Sequence, residues 1–184
     1  MSVTSGFFNS LDSDRLYNAE QMSQILMGII HDGVFKDVGT ALKVVAYEGN
    51  TIRVGIGKAW FDNYWLYNDT ILPIEMTPAA VAQPRYDAVV IDVNWGDSVR
   101  ACTIITKEGT AQSSPTHPSM INSSTQKQYP LAYILRPAGS TSIIADNIED
   151  QRGSSSCPFI QRLDDSTTMQ KKIYVSSKKL IIPQ

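Results

Sequence analysis

The stretch Arg85-Tyr86-Asp87-Ala88-Val89-Val90-Ile91-Asp92-Val93-Asn94-Trp95 decides the fold. Val89, Ile91 and Val93 alternate with Val90, Asp92 and Asn94, the two-residue period of a β-strand. Gly96-Asp97 supplies a turn, and Ser98 to Thr106 returns antiparallel. Upstream, Lys58 to Phe61 and Tyr64 to Tyr67 flank Asp62-Asn63, two residues that tolerate positive φ, and predict a hairpin. Before it, Ala41 to Tyr47 and Thr51 to Ile56 predict another across Glu48-Gly49-Asn50. Downstream, Glu108 to Gln128 is polar and aperiodic, with Pro115 and Pro118, and reads as a long extended loop. Tyr129 to Arg136 restores a strand, Pro137-Ala138-Gly139 turns, Ser142 to Ala145 is expected to pair again, and 146–156 reads as irregular. No repeat of 20–50 residues is visible in the sequence, which leaves a small antiparallel barrel or sandwich.

One helix precedes these strands. Asn18 can cap it and Gln21 completes a capping-box pattern. Met22, Ile25, Leu26, Ile29 and Ile30 then trace one apolar stripe, which Asp32-Gly33 ends. The stripe is expected to pack on a sheet, so that Leu26→Asp would bury an unpaired charge and cost about 3 kcal/mol or more. The expected fold is therefore mainly β with one N-terminal amphipathic helix. Residues 1–160 form the β-rich domain, and 161–184 form a linker, Asp164 to Thr168, with a C-terminal strand extension over Lys171 to Ser177 and Leu180 to Ile182.

At 184 residues, with 42% hydrophobic and 18% charged residues, the chain has the composition of a folded protein. A net charge of -2 carries no basic excess to hold phosphates, so no nucleic-acid partner is expected. No run is long and apolar enough for a membrane span, and the start lacks the basic and apolar regions of a secretory signal. Assembly in a cytoplasm follows from that reading. Cys102 and Cys157 are expected to be unpaired thiols.

Motifs for chemistry fail one by one. His31 and His117 have no partner at ligand spacing, and the cysteines lack a C-x-x-C arrangement, so no metal is expected. Gly55-Ile56-Gly57-Lys58 is followed by Ala59 where a phosphate loop needs Ser or Thr, so no nucleotide cofactor is expected. Asp92 to Asp97 has its glycine one position early for a calcium loop and reads as a turn. No serine sits in a G-x-S-x-G elbow. The pairs Asp12 with Asp14 and Glu149 with Asp150 could flank a sugar only if geometry brought them together. The expectation is no catalytic residue and no enzyme.

The aromatics Trp60, Phe61, Tyr64, Trp65 and Tyr67 stay open to two readings. Alternate members of a hairpin face opposite sides, so Trp60 with one subset can enter the core while Phe61 and others meet a partner or a sugar. Candidate interface residues are Phe61, Tyr64, Trp65 and Tyr67, together with Phe7, Phe8, Arg15 and Tyr17 at the start and Lys171 and Tyr174 at the end.

Gly6-Phe7-Phe8-Asn9-Ser10, Asp14 to Ala19, Asp32-Gly33-Val34-Phe35, Ile52 to Trp65, Arg85 to Val90, Tyr129 to Ile134, Ala138 to Ile143 and Asp150 to Arg152 follow one another in a set order. Over roughly residues 6–160 this order resembles the N-terminal docking domain of baseplate upper and tail-fibre-type structural proteins of tailed phages of Gram-positive bacteria. The resemblance implies a virion protein of the tail tip, baseplate or tail fibre that docks on other tail subunits and anchors the host-adhesion apparatus. It also implies a homo-oligomer, a trimer or higher ring, with contact to a host surface glycan or receptor at most indirect. The alternative is a carbohydrate- or receptor-binding module acting on the host cell through the same aromatics.

Overall fold

A computed structural model describes residues 19–160 of the chain. They comprise α1 (Ala19–Leu26), β1 (Gly33–Phe35), β2 (Val44–Ala46), β3 (Thr51–Val54), β4 (Gly57–Phe61), β5 (Tyr64–Asn68), β6 (Leu72–Glu75), β7 (Arg85–Asn94), β8 (Ala101–Lys107), β9 (Gln126–Arg136), a 3-10 turn (Ala145–Asn147), β10 (Ile148–Asp150) and β11 (Phe159–Ile160). The protein is mainly β. The described strands form three sheets, none of them closed, with strand orders β11-β1-β4-β5, β10-β9-β7-β8 and β2-β3-β6. Pairing is antiparallel throughout except where β11 runs parallel to β1.

The long strand read from Arg85 is the spine. β7 pairs with β8 from Ala88↔Lys107 to Asn94↔Ala101 and with β9 from Arg85↔Arg136 to Asn94↔Gln126. Because it has a neighbour on each side and is covered on both faces, every residue from Asp87 to Val93 is buried, Val90 and Asp92 included. Hydrogen bonds make the burial of Asp92 tolerable: its Oδ1 accepts from Gln126 at 2.8 Å and Gln128 at 2.9 Å. The β7–β9 register slips between Val89 and Val90, where Ala132 and Pro130 are the partners and Leu131 is the extra residue. That bulge accommodates Pro130, which has no N–H to give the ladder.

Val34, Val44, Ile52, Val54, Phe61, Leu66, Val89, Ile91, Val93, Leu131 and Ile134 come from all three sheets and share one interior. Close approach is part of its construction, for a Cβ on Gly57 would lie 2.5 Å from the Leu42 amide nitrogen.

Both expected hairpins form. Glu48 to Thr51 closes β2 onto β3, and Asp62 (φ 49°) with Asn63 (φ 70°) closes β4 onto β5 as a two-residue turn of the type that matches strand twist. Four expectations are corrected. Ser142 to Ala145 forms no strand; Ile143 instead donates its N–H to Gly49 O at 2.9 Å, and the strand begins at Ile148, inside the segment read as irregular. β6 was not foreseen because Pro73 interrupts its pattern, but β6 is an edge strand, where proline is allowed. β1, read as a helix end, and the two-residue β11 are too short to show a period.

The fourth correction concerns α1. The helix is eight residues long, and among the described residues its stripe borders an open groove and stays partly exposed: Met22, Ile25 and Leu26 are 47%, 41% and 37% exposed, and Met27 and Ile29 beyond it are 55% and 57% exposed. Among the described residues no strand covers it, so Leu26→Asp does not carry the cost of burying a charge there. Asn18, its expected cap, lies outside the described residues, as do Phe7, Phe8, Asp12, Asp14, Arg15, Tyr17, Lys171, Tyr174 and the whole 161–184 extension. Among the described residues no helix is long and apolar enough to cross a membrane.

Candidate interaction groove

The β4–β5 turn is tied down from three directions. Asp32 Oδ1 accepts the Asp62 N–H at 3.0 Å, while the Asp62 carboxylate accepts from Lys127 Nζ at 2.5 Å and from the Tyr129 hydroxyl. The Tyr129 ring lies flat on Phe61, with centroids 3.9 Å apart. Burial first, and donation to Asp62 second, push the Tyr129 hydroxyl far above its ordinary range, so it stays a donor. Burial also raises the Asp32 carboxyl, against the lowering effect of the Asp62 N–H.

Next to this turn stands Trp95, at the end of β7. Its Nε1 donates to Ser124 O at 2.9 Å and its own N–H to Thr125 O at 2.9 Å, which fixes the indole between the β7–β8 and loop–β9 connections. Tyr64 lies nearly parallel to it at 5.9 Å, and Lys127 Nζ sits 5.8 Å from the Trp95 ring centre.

An open groove of about 1120 Å³ runs between α1 and these residues. All three tryptophans of the chain, Trp60, Trp65 and Trp95, line it, with Tyr64, Asp62 and Asn63 of the turn, Met22, Leu26 and Met27 of the helix side, and Arg100 to Cys102 at the start of β8. Trp65 is 69% exposed, the most exposed aromatic side chain described. Arg100 holds a left-handed backbone (φ 45°), and its guanidinium has no partner among the described residues. Burial, with Asp92 nearby, pushes the Cys102 thiol up to about 12, so the groove contains no thiolate nucleophile at neutral pH. An apolar trough with aromatic walls and, among the described residues, the Arg100 cation on its rim can bind a partner.

Of the described interface candidates, Tyr64 and Trp65 meet in this groove. Tyr67 is half exposed on the same strand, under the Lys58 ammonium at 4.6 Å, but does not line it. Phe61 is corrected: at 1% exposure, against Tyr129 and beside Leu66, it belongs to the core. Trp60 is buried as well, so the expected division between Trp60 and Phe61 does not occur.

Two clusters had no sequence signal. On the outer face of β7, β9 and β10, Tyr86 donates to Glu149 Oε1 at 2.7 Å, and His117 of the long loop bonds Glu149 Oε2 at 3.0 Å while stacking on Tyr133 at 3.9 Å. The carboxylate raises Tyr86 chiefly through that hydrogen bond, and Tyr133 is raised by burial and then by Glu149. His117 is a loop residue, and these contacts pin its loop to the sheet. Its neighbour Asp150 faces the other way along β10 and pairs with Arg152 at 2.6 Å, so Glu149 and Asp150 cannot act as a carboxylate pair on one sugar. The second cluster is buried: Arg85 Nε meets Asp87 Oδ1 at 2.8 Å, Arg136 Nη1 stands 3.5 Å from Asp87 Oδ2, Gly109 N–H donates to Asp87 Oδ1 at 3.2 Å and Arg136 Nη2 donates to Asn50 Oδ1 at 2.6 Å. It fastens loops to the end of the β7–β9 pair. Both assemble from residues tens of positions apart, beyond the reach of local pattern.

Among the described residues no group of three or more His, Cys, Asp or Glu could hold a metal ion. No protein-family model, curated protein or solved structure matches the chain.

Proposed function

We propose that this chain is a non-enzymatic virion structural protein of a phage tail tip, baseplate or tail fibre, which docks on other tail subunits through the groove between α1 and the β4–β5 hairpin and so anchors the host-adhesion apparatus. The observation that carries the reading is the α1 stripe, partly exposed among the described residues, on the groove that Trp65 and Tyr64 also line, because contiguous apolar surface of this kind marks a contact site. The three sheets serve as one sandwich-like body beneath it, and the Asp62 clamp and Trp95 anchors keep the aromatic wall preorganised, which lowers the entropy lost on binding. Antibodies against the chain, applied to particles released by the cells that encode it, are expected to decorate the tail tip in electron micrographs. Particles free of label, with the protein present only in the soluble fraction, would overturn the proposal.

A second reading has one observation in its favour. Trp65 and Tyr67, on one face of β5, are both exposed and could stack on a sugar as a carbohydrate- or receptor-binding module does. Glycan-array binding lost in a folded Trp65→Ala variant would favour this alternative.

A further inference from the structure

β8 is an end strand of its sheet: β7 lies on one side and, among the described residues, no strand lies on the other. About every second N–H and C=O along its seven residues therefore points away from the sheet with no ladder partner. Proteins ordinarily blunt such an edge with a charge, a proline, a bulge or brevity. β8 has none of these over Ala101-Cys102-Thr103-Ile104-Ile105-Thr106, which are uncharged and pair with β7 without a break in register. Its one charge, Lys107, stands at the far end.

Packing at this edge is also incomplete. Cys102 and Ile104 lean on the common core yet stay partly exposed, whereas Val93 and Ile91, their partners across the ladder, are sealed. On the opposite face Ile105 is 37% exposed. A strand laid along the edge with apolar residues two positions apart would complete the cover of Cys102 and Ile104 and satisfy the outward backbone groups at the same time.

A sequence of that pattern follows the described residues. In Lys171-Lys172-Ile173-Tyr174-Val175-Ser176-Ser177, extension puts Ile173 and Val175 on one side and Lys172, Tyr174 and Ser176 on the other. Its tether is long enough. The described chain ends at Ile160 in β11, three strands from β5 in one sheet, and β5 lies beside β8. Three strand spacings come to about 15 Å, and residues 161–170 can span about 35 Å.

We propose that Lys171 to Ser177 adds to the open edge of β8 within the same copy of the chain, which makes β8 an internal strand and sets Ile173 and Val175 on the side of Cys102 and Ile104. Main-chain hydrogen bonds supply the affinity, and the two apolar side chains fix the register. Addition here does not depend on what the groove binds.

Hydrogen exchange of the full chain, read by mass spectrometry on the β8 segment, tests this. The outward amides of β8 are expected to exchange at least tenfold more slowly in the wild type than in Val175→Pro, which removes a main-chain donor, or in Ile173→Asp combined with Val175→Asp. The β7 amides, which report the fold, are expected to keep their protection in all three proteins. Dilution is expected to leave the difference unchanged, because donor and acceptor share one chain. Equal exchange of β8 in the wild type and both variants overturns the proposal, and so does protection that fades on dilution, in which strands are traded between copies. Trypsin gives a readout free of the variants: it is expected to cut the wild type after Lys171 and Lys172 at least tenfold more slowly than it cuts a synthetic peptide of residues 165–184, and equal rates overturn the proposal.

Discussion

Tyr129 and Asp62 stand 67 positions apart in the chain, and the tyrosine hydroxyl donates to the aspartate at the tip of the β4–β5 hairpin while its ring covers Phe61. One side chain therefore joins the strand that ends the long loop to the turn that shapes the groove. Asp62→Asn keeps the size and the tolerance of left-handed backbone but removes the charge that Lys127 and Tyr129 meet. Equilibrium urea unfolding is expected to show a loss of about 1–2 kcal/mol, the range for a hydrogen bond to a charged partner. Unchanged stability would mean that the turn holds its shape without the clamp.

Leu26 and Leu131 separate exposed from buried leucine in this fold. Leu26, 37% exposed on α1, is expected to tolerate Asp with a loss below about 1 kcal/mol, when measured on the single-chain form. Leu131, fully buried at the β9 bulge, is expected to lose about 2–5 kcal/mol as Ala, because the cavity cannot collapse against three sheets. Thermal unfolding of the two variants side by side checks the order, and a larger loss for Leu26→Asp would place the stripe inside.

Arg152 binds two parts of the chain. Its guanidinium meets Asp150 at 2.6 Å and donates from Nη1 to Thr40 O and Ala41 O at 2.8 Å each. Burial would raise the Asp150 carboxyl, but the Arg152 hydrogen bonds and charge together outweigh it and hold the group below its ordinary 3.8. A carboxyl depressed in the folded state contributes stability above its unfolded value and loses it as pH falls through the folded value. The Arg152→Ala variant is expected to be less stable at neutral pH by about 3 kcal/mol, chiefly from the stranded carbonyls. Its stability should also fall less steeply than the wild type's below pH 3.8. Parallel acid titrations of the two proteins would contradict the pairing.

Burial raises both cysteine thiols to about 12, against the lowering effect of Arg152 in the case of Cys157. The thiolate is the reactive form, so neither residue is expected to react appreciably with a disulfide reagent at neutral pH, and both should react after denaturation. Rapid labelling of one thiol in the folded protein would show that Cys102, at the groove, is open to reagents.

Periodicity and turn chemistry were enough to find β7 and β8, the β4–β5 turn at Asp62-Asn63 and the β2–β3 turn at Gly49, because each depends on neighbours a few residues away. The same local rules pointed to a helix but ran its stripe on to Ile30, beyond the end of α1 at Leu26, and could not say what the stripe met, since a helix is amphipathic toward whatever covers it. Only the tertiary structure decided that Phe61 is core and Trp65 is surface, that His117 pins a loop on Glu149, and that Arg85, Asp87 and Arg136 share one buried cluster. Those facts arise from strands brought together across tens of residues, where register and the faces left uncovered are set by the whole packed interior and not by any local segment.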